Sequence, residues 1–192
     1  MVIADDFTGS CDTGLQFAAA GHRTRVGFEI SATAFAGVRV GVCDSETRNC
    51  TDVEARKCLQ SLALSMQATS ASIWYKKVDS TMRGPIAAEV AVLMRLLGID
   101  LCLLAPAFPS SGRITVGGHQ LLDGVPVHRT EMASDPGAPI RTSNIGQLFA
   151  AENVGVRLVS LEVVEEGAAR IAESIRAFGE AGPTVVVLDA AG

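Results

Sequence analysis

The sequence has few aromatic residues and no long apolar run. Aromatic residues make up 5% of the 192 positions, whereas hydrophobic residues make up 48%, so the core must consist mainly of aliphatic side chains and alanine. No apolar run approaches the ~20 residues that a membrane-spanning helix needs. The opening residues, MVIADD, also lack the basic and apolar regions of a signal peptide. We therefore expect no membrane partner.

Runs of lysine or arginine are also absent, and the formal net charge is −5. This composition argues against nucleic acid or an anionic membrane as a partner. The five cysteines are scattered and include no Cys-x-x-Cys pair, which is typical of reduced thiols in a cytoplasmic protein. No cluster of histidine and cysteine suggests zinc, and we predict no metal ligands on this chain.

Several catalytic templates are missing as well. The segment Gly9–Gln16 has the two glycines of a P-loop, but Leu15 and Gln16 replace the required lysine and serine or threonine. No G-x-G-x-x-G follows a predicted strand, and there is no G-x-S-x-G motif. If a nucleotide takes part in the reaction, we expect its phosphate site to lie outside this chain.

What the sequence does contain is an alternation of short apolar runs and helical segments. This pattern predicts a single α/β domain over residues 1–192, with a mostly parallel sheet and helices on both faces. The predicted strands are Val2–Asp5, Thr24–Phe28, Val38–Cys43, Ser72–Val78, Leu101–Ala105, Val156–Ser160 and Thr184–Asp189. The predicted helices are Cys11–Ala20, one opened by the capping box Thr51–Glu54, Pro85–Gly98, Ser143–Ala151 and Val164–Phe178.

Two features depart from this alternation. Around residues 114–129 we predict a β-hairpin, in which Ile114–Leu122 and Val125–Arg129 flank an Asp123-Gly124 turn. The last apolar run, TVVVLD, is not followed by a helix. It therefore predicts a domain taken from a longer protein.

Polar clusters follow four of the predicted strands. They are Asp5–Ser10, Asp44–Arg48, Lys76–Pro85 and Pro106–Arg113. Because ligands of parallel α/β sheets bind beyond the carboxyl ends of the strands, we predict that the four clusters converge on one site.

The third cluster has the features of an anion site. If the strand continues, Lys77 and Asp79 lie on the same face. Ser80, Arg83 and Gly84 then lead into a helix whose first N–H groups and partial positive charge favour an anion. The planar guanidinium of Arg83 suits a carboxylate or a phosphate.

The first cluster, by contrast, is acidic. Asp5 and Asp6 would repel an anion, so hydroxyl groups, a metal ion or a basic side chain are their natural partners. The two clusters together predict a site for a small hydroxylated acid. Simpler interpretations stay open: either aspartate could only cap the next helix, Lys77 and Asp79 could form a surface ion pair of little consequence, and Arg83 could be solvated.

The longer motifs resemble those of the four-carbon acid sugar kinases. VIADDFTGSCDTGLQFAAAG resembles the ADDLTGA opening of that family and its following D-T-G segment, and SETR resembles a second motif. YKKVDSTMRGPIAAEV resembles KK-[IV]-DSTLRGN-[IV]-x-x-E. PAFPSSGRITVGGHQLLDGVPV, with TEMASDP after it, resembles a fourth. The similarity runs from Val2 to about Ser143 and weakens towards Asp189.

The resemblance implies a two-domain kinase that phosphorylates threonate, erythronate or a 3-oxo relative with ATP and Mg²⁺. This chain resembles only the N-terminal, substrate-binding domain, so the C-terminal nucleotide domain would be a missing partner and no cofactor is expected on this domain alone. Homo-oligomerisation is left open. The matching positions implied to contact substrate are Asp5, Asp6, Thr8, Gly9, Asp12, Arg48, Lys77, Ser80, Gly84, Phe108, Pro109, Gly112 and Arg113, with Asp79 and Arg83 as catalytic residues.

The resulting hypothesis is phosphoryl transfer to a hydroxyl group of a four-carbon acid. Arg83 would hold the substrate carboxylate, and an aspartate, with Asp79 favoured, would accept the proton. One alternative is a haloacid-dehalogenase-like phosphatase, although Asp-Asp-Phe-Thr lacks the Asp-x-Asp spacing of that class. The other alternative is a non-catalytic module that binds a sugar acid.

Overall fold

The computed structural model describes residues 1–28, 34–66, 71–179 and 182–192. The strands are β1 (Val2–Ala4), β2 (Thr24–Gly27), β3 (Val40–Asp44), β4 (Tyr75–Lys77), β5 (Leu101–Leu104), β6 (Arg113–Val116), β7 (His119–Leu122), β8 (Val125–Pro126), β9 (Gly155–Val159) and β10 (Thr184–Leu188). The helices are α1 (Phe7–Ala19), α2 (Asp52–Met66), α3 (Ile86–Leu97), α4 (Ile145–Leu148), α5 (Leu161–Glu165) and α6 (Ala168–Ala177). Short 3₁₀ turns occupy Pro109–Ser111, Val127–Arg129 and Glu131–Ser134.

The parallel strands form two separate sheets. The first has the order β2-β3-β1-β4 and the second the order β5-β10-β9, with every pairing parallel. Strands β6, β7 and β8 form a small antiparallel sheet. The predicted α/β class, with mostly parallel strands and a hairpin excursion, is confirmed. The division of the parallel strands was not predicted, because periodicity identifies strands but not their neighbours.

Helix α3 lies between the two parallel sheets. Nine consecutive residues of this helix, 86–94, are buried, as expected for a helix that is apolar on nearly every side. Its residues Ile86, Val90 and Met94 belong to a core cluster with side chains of β5 and β10. Its residues Val92 and Leu93 belong to a second cluster with side chains of β1, β3 and α2. One helix therefore supplies apolar surface to both halves of the core.

The helix starts follow the local sequence signals. In the predicted capping box, the Thr51 amide donates to the Glu54 carboxylate at 2.9 Å, and the Glu54 amide donates to the Thr51 hydroxyl at 3.3 Å. Helix α1 begins at Phe7, four residues before its predicted start, because the Asp6 carboxylate accepts a hydrogen bond of 2.8 Å from the Gly9 amide. Asp6 therefore caps α1, but capping is not its only contact, because its carboxylate also accepts from Arg48 at 2.9 Å.

The hairpin region differs from its prediction. The Asp123-Gly124 turn is present, with φ values of 50° and 79°, which are typical of a type I′ turn. The run 114–122 is not one strand, because Gly117 and Gly118 (φ 58° and 71°) form a second tight turn between β6 and β7. The predicted strand Val125–Arg129 is shorter, and its second half forms a 3₁₀ turn.

Two further predictions were too long. The strand predicted over Ser72–Val78 covers only Tyr75–Lys77. Asp79 therefore lies beyond the strand and does not share a strand face with Lys77, contrary to the prediction. The helix predicted over Val164–Phe178 consists of α5 and α6, separated at Gly167, whose φ is 95°.

In the part of the chain that the structure describes, no helix has both the length and the apolar character needed to cross a bilayer.

The capping box yields a prediction on stability. Thr51→Ala removes the side-chain acceptor at the start of α2 and should lower the free energy of unfolding by about 1 kcal/mol. Urea unfolding of this variant and the wild type measures the difference. Ser61→Ala is the matched control, because the Ser61 hydroxyl only donates to the Lys57 carbonyl within the same helix, so stability should stay the same or rise slightly. Equal stability of Thr51→Ala and the wild type would contradict the prediction.

Candidate functional site

The neighbouring carboxylates of Asp5 and Asp6 share one guanidinium. Arg48 Nε donates to Asp5 Oδ2 at 2.7 Å, and Arg48 Nη2 donates to Asp5 Oδ1 at 3.1 Å and to Asp6 Oδ1 at 2.9 Å. The Asp5 side chain is 1% exposed, whereas that of Asp6 is 25% exposed. Burial opposes the charge on Arg48, but its hydrogen bonds to Asp5 and the nearby carboxylates outweigh that effect and raise its pKa. The basic partner that the sequence left open is therefore Arg48.

A second arginine connects two carboxylates in the same region. Arg83 Nε and Nη2 donate to Asp79 at 3.0 and 3.1 Å, and Arg83 Nη1 donates to Asp135 at 3.0 Å. Burial alone would raise the pKa of Asp79, but hydrogen bonds from Arg83 and Thr81 hold it well below its usual range. Hydrogen bonds to Asp79, and further bonds to Asp135, raise the pKa of Arg83. Both partners are therefore held in their charged forms.

The first sheet brings these two arginines together. Strands β1, β3 and β4 are parallel neighbours, so the segments that follow them meet at one edge. The Arg48 amide donates to the Asp5 carbonyl at 3.0 Å. Gly84, with φ 93°, packs so closely on this segment that an added Cβ would lie 3.1 Å from the Arg48 carbonyl oxygen. Only glycine suits that combination of backbone angle and close approach.

These segments surround an open cleft of about 480 Å³. Its lining residues are Asp5, Asp6, Phe7, Glu46, Arg48, Asn49, Arg83, Asp135, Pro136 and Gly137. Phe7 forms an apolar part of the wall, and its ring stacks on Phe28 with 5.5 Å between the ring centroids. The cleft thus combines two guanidinium groups, several carboxylates and one aromatic surface.

A smaller pocket of about 190 Å³ adjoins the starts of α2 and α3. Arg48 and Gly137 line both the cleft and this pocket, so the two are contiguous. Gly84 and Pro85 line the smaller pocket next to the first turn of α3. The predicted helix start therefore lies beside the cleft rather than in its lining.

The remaining predicted residues of the first and third clusters are absent from the described lining of the cleft. Thr8 and Asp12 are on α1 and exposed. Lys77 lies close to Gly9, where an added Cβ would be 3.7 Å from its Nζ. The amine of Lys77 donates to the Val78 carbonyl at 2.6 Å. Ser80 contributes its carbonyl oxygen, which accepts a hydrogen bond of 2.6 Å from the buried Gln120 side chain.

The fourth predicted cluster does not join the cleft. It follows β5, which belongs to the second parallel sheet, and Phe108, Pro109, Gly112 and Arg113 are absent from the cleft's described lining. Gly112 has a local structural role, because its φ is 71° and an added Cβ would lie 2.0 Å from Asp123 Oδ1. In this structure, residues of the first three clusters line the cleft, and none of the fourth is in its described lining.

Asp135, which lines the cleft, was not among the site residues predicted from the sequence. Asp135 accepts hydrogen bonds from the amides of Gly137 and Ala138 at 2.9 and 2.8 Å, in addition to its bond with Arg83. Its pKa is lowered by the Ala138 hydrogen bond first and by Arg83 next. Asp135 lies in the TEMASDP segment, so the motif was visible, but its pairing with Arg83 across 52 positions was not.

The described residues of the cleft include no phosphate-binding loop for ATP. Residues Gly9–Gln16 lie within helix α1 and form no phosphate-binding loop. Among the residues that the structure describes, no group of three or more histidine, cysteine, aspartate or glutamate side chains could hold a metal ion.

A family described as a sugar-binding N-terminal domain matches residues 1–192. The chain belongs to that family. It is 38% identical to a D-threonate kinase of Salmonella typhimurium over 192 residues, which cover 99% of this chain and 45% of that protein. It is 33% identical to a D-erythronate kinase of Heliobacterium modesticaldum, with 100% and 45% coverage. A 3-oxo-tetronate kinase of Brucella melitensis is 28% identical, with 98% and 45% coverage.

Solved structures have the same fold. A Salmonella typhimurium crystal structure superposes with a TM-score of 0.89 at 25% identity, covering 100% of this chain and 48% of that one. A Bordetella bronchiseptica structure, described as a domain-swapped dimer with bound citrate, has a TM-score of 0.83 at 30% identity, with 99% and 46% coverage. The resemblance to the four-carbon acid sugar kinases is thus confirmed. The chain spans about half the length of the relatives that it matches.

The Arg83–Asp79 pair predicts a pH dependence of stability. Because the folded pKa of Asp79 is depressed, the pair stabilises the protein above the unfolded value of about 3.9 and loses this contribution as the pH falls below it. Asp79→Asn should be less stable than the wild type by about 2 kcal/mol near neutral pH, and the two curves should converge in acid. Urea unfolding at a series of pH values measures both. A gap that does not change with pH would contradict this prediction.

Proposed function

We propose that this chain supplies the acid-sugar site of an ATP-dependent kinase that acts on four-carbon sugar acids. The relatives named as threonate, erythronate and 3-oxo-tetronate kinases support a kinase of this substrate class. The chain covers less than half of each of them, so the nucleotide site is proposed to lie in a separate C-terminal domain. In that arrangement the chain alone binds the acid but does not phosphorylate it.

The observation that carries the proposal is the position of Arg83 in the cleft. Three of its five N–H groups donate to Asp79 and Asp135 within the described chain. We propose that the other two, one on Nη1 and one on Nη2, bind a ligand carboxylate, a group that suits a guanidinium. The citrate reported in the Bordetella bronchiseptica structure, a hydroxylated acid, supports a site of this chemistry.

The carboxylates of the cleft suit the hydroxyl groups of such an acid. Asp6 is the more exposed of the first pair, and we propose that it accepts hydrogen bonds from substrate hydroxyls. The exposed ring of Phe7 would contact the carbon chain. Phosphoryl transfer depends mainly on positioning and charge neutralisation, and ATP with Mg²⁺ would supply the phosphoryl group from outside the described residues.

The geometry changes the role proposed for Asp79. Both of its oxygens accept hydrogen bonds from Arg83, and its pKa is held low, so it is a poor proton acceptor. We therefore propose that Asp79 orients Arg83 rather than acting as the catalytic base.

Self-association is likewise a proposal, supported by the domain-swapped dimer of the Bordetella bronchiseptica neighbour. We also propose that the protein is located in the cytoplasm.

The phosphatase alternative is less well supported. A haloacid-dehalogenase-like mechanism needs a nucleophilic aspartate, and Asp5 is 1% exposed with both oxygens bonded to Arg48. A non-catalytic binding module remains the second candidate. Saturable binding of the acid, without phosphorylated product even after a nucleotide domain is supplied, would favour it.

The direct test is calorimetry of this chain with four-carbon ligands. D-threonate and D-erythronate should bind, whereas erythritol, which has the same carbon number but no carboxylate, should bind at least about tenfold more weakly, because a charged hydrogen bond is lost. Equal affinity for erythritol would contradict a carboxylate site. No binding of any of these acids would contradict the proposed function.

Arg83 can be tested with a matched control. Arg83→Met removes the guanidinium that is proposed to bind the substrate carboxylate, and it should weaken acid binding by at least about tenfold. Arg170 is also paired with two carboxylates, Glu166 and Glu173, but lies on α6 and outside the cleft lining. Arg170→Met should leave the affinity unchanged. If both variants bind the acid as the wild type does, the assignment of Arg83 is wrong.

A further inference from the structure

The buried helix α3 contains one charged side chain within its buried segment. Residues 86–94 read IAAEVAVLM, and Glu89 in the middle is 0% exposed. Placing an ionised carboxylate in an apolar core costs several kcal/mol unless it is paired and hydrogen-bonded. A fold would gain more from an apolar residue at this position, so the partners of Glu89 need an explanation.

Those partners come from the segments that carry the cleft. The Thr47 hydroxyl donates to Glu89 Oε1, and Lys76 Nζ lies 3.1 Å from Glu89 Oε2. Thr47 is itself 0% exposed. Its hydroxyl is also 2.7 Å from the hydroxyl of Ser45, which donates to the Ala4 carbonyl at 2.7 Å. Through Thr47 and Lys76, Glu89 therefore connects α3 to the segment after β3 and to β4.

Thr47 is adjacent to Arg48, the residue that holds Asp5 and Asp6. The segment 45–48 is neither helix nor strand, and Glu46 within it has a φ of 50°, a value that is unfavourable for residues other than glycine. A segment with such a backbone needs anchors to keep one conformation. Glu89 provides one side-chain anchor by accepting from Thr47, and Asp44 provides another by accepting from the Glu46 amide at 2.9 Å. The Arg48 amide is bonded to the Asp5 carbonyl at 3.0 Å.

We propose that Glu89 is a positioning residue that fixes segment 45–48 and thereby places the Arg48 guanidinium between Asp5 and Asp6. Glu89 is absent from the described lining of the cleft, and its effect on Arg48 passes through Thr47. The consequence for acid affinity rests on the proposed function, whereas the consequence for Arg48 does not. This role differs from that of a buried carboxylate that is only hydrogen-bonded. Removing the contact between Glu89 and Thr47 should change the position of Arg48 as well as the stability of the protein.

Three variants separate these two roles. Glu89→Met and Thr47→Val remove the same hydrogen bond from opposite sides, and Thr47→Val keeps the ion pair of Glu89 with Lys76 should Glu89→Met fail to fold. Glu89→Gln keeps an acceptor for Thr47 but removes the charge. The control is Glu152→Gln, which neutralises a glutamate paired with Arg56 and absent from the described cleft lining.

The first readout needs no ligand. The Nε–H of Arg48 donates to Asp5 at 2.7 Å, so it should give a slowly exchanging ¹H–¹⁵N signal, assigned by its loss in Arg48→Lys. Thr47→Val and Glu89→Met should speed up this exchange by at least about fivefold, whereas Glu89→Gln and Glu152→Gln should retain the slow signal. Wild-type exchange in Thr47→Val would overturn the proposal, whatever its stability.

The second readout is calorimetry with D-threonate at a temperature where all variants are folded. Thr47→Val should bind about fivefold or more weakly, while Glu89→Gln and Glu152→Gln stay within about twofold of the wild type. A loss in Thr47→Val that is matched by Glu152→Gln would overturn the proposal, because the effect would then be general. If the wild type binds no acid, the proposed function fails while the exchange measurement still decides the role of Glu89.

Discussion

The cleft depends on a charge constraint: two adjacent, partly buried carboxylates need a cation beside them to offset their mutual repulsion. Arg48 meets this requirement by bonding to Asp5 and Asp6 together. These ion pairs also hold the segment after β3 against the end of β1. Arg83 repeats the arrangement with Asp79 and Asp135. The cleft is thus built from two guanidinium groups, each held between two carboxylates.

Local features of the fold could be predicted from the sequence, whereas long-range ones could not. The capping box at Thr51 and the Asp123-Gly124 turn depend on neighbouring residues, and both were found as predicted. The division of the strands into two parallel sheets depends on which strands become neighbours, and no local pattern encodes that choice. The fourth polar cluster was misplaced for this reason, because β5 belongs to the second sheet.

The same limit applies to the site. The motifs identified Asp5, Asp6, Arg48 and Arg83, all of which line the cleft, because their residue types indicated charge chemistry. The sequence could not show that Arg83 is already paired with Asp135, which is 52 positions away. It also gave Glu89 no role, since a glutamate in a helix is ordinarily a surface residue. The family motif ends on Glu89, but only its burial in α3 separates it from a surface glutamate.

Helix α3 has a consequence for how the protein unfolds. Its residues belong to the core clusters of both parallel sheets, so neither sheet keeps its apolar packing once the helix detaches. Two sheets that share one helix in this way should melt together in a single cooperative transition rather than as two independent units. The cleft would then have no separately folded precursor, and its carboxylates and arginines would come together only when the whole core forms.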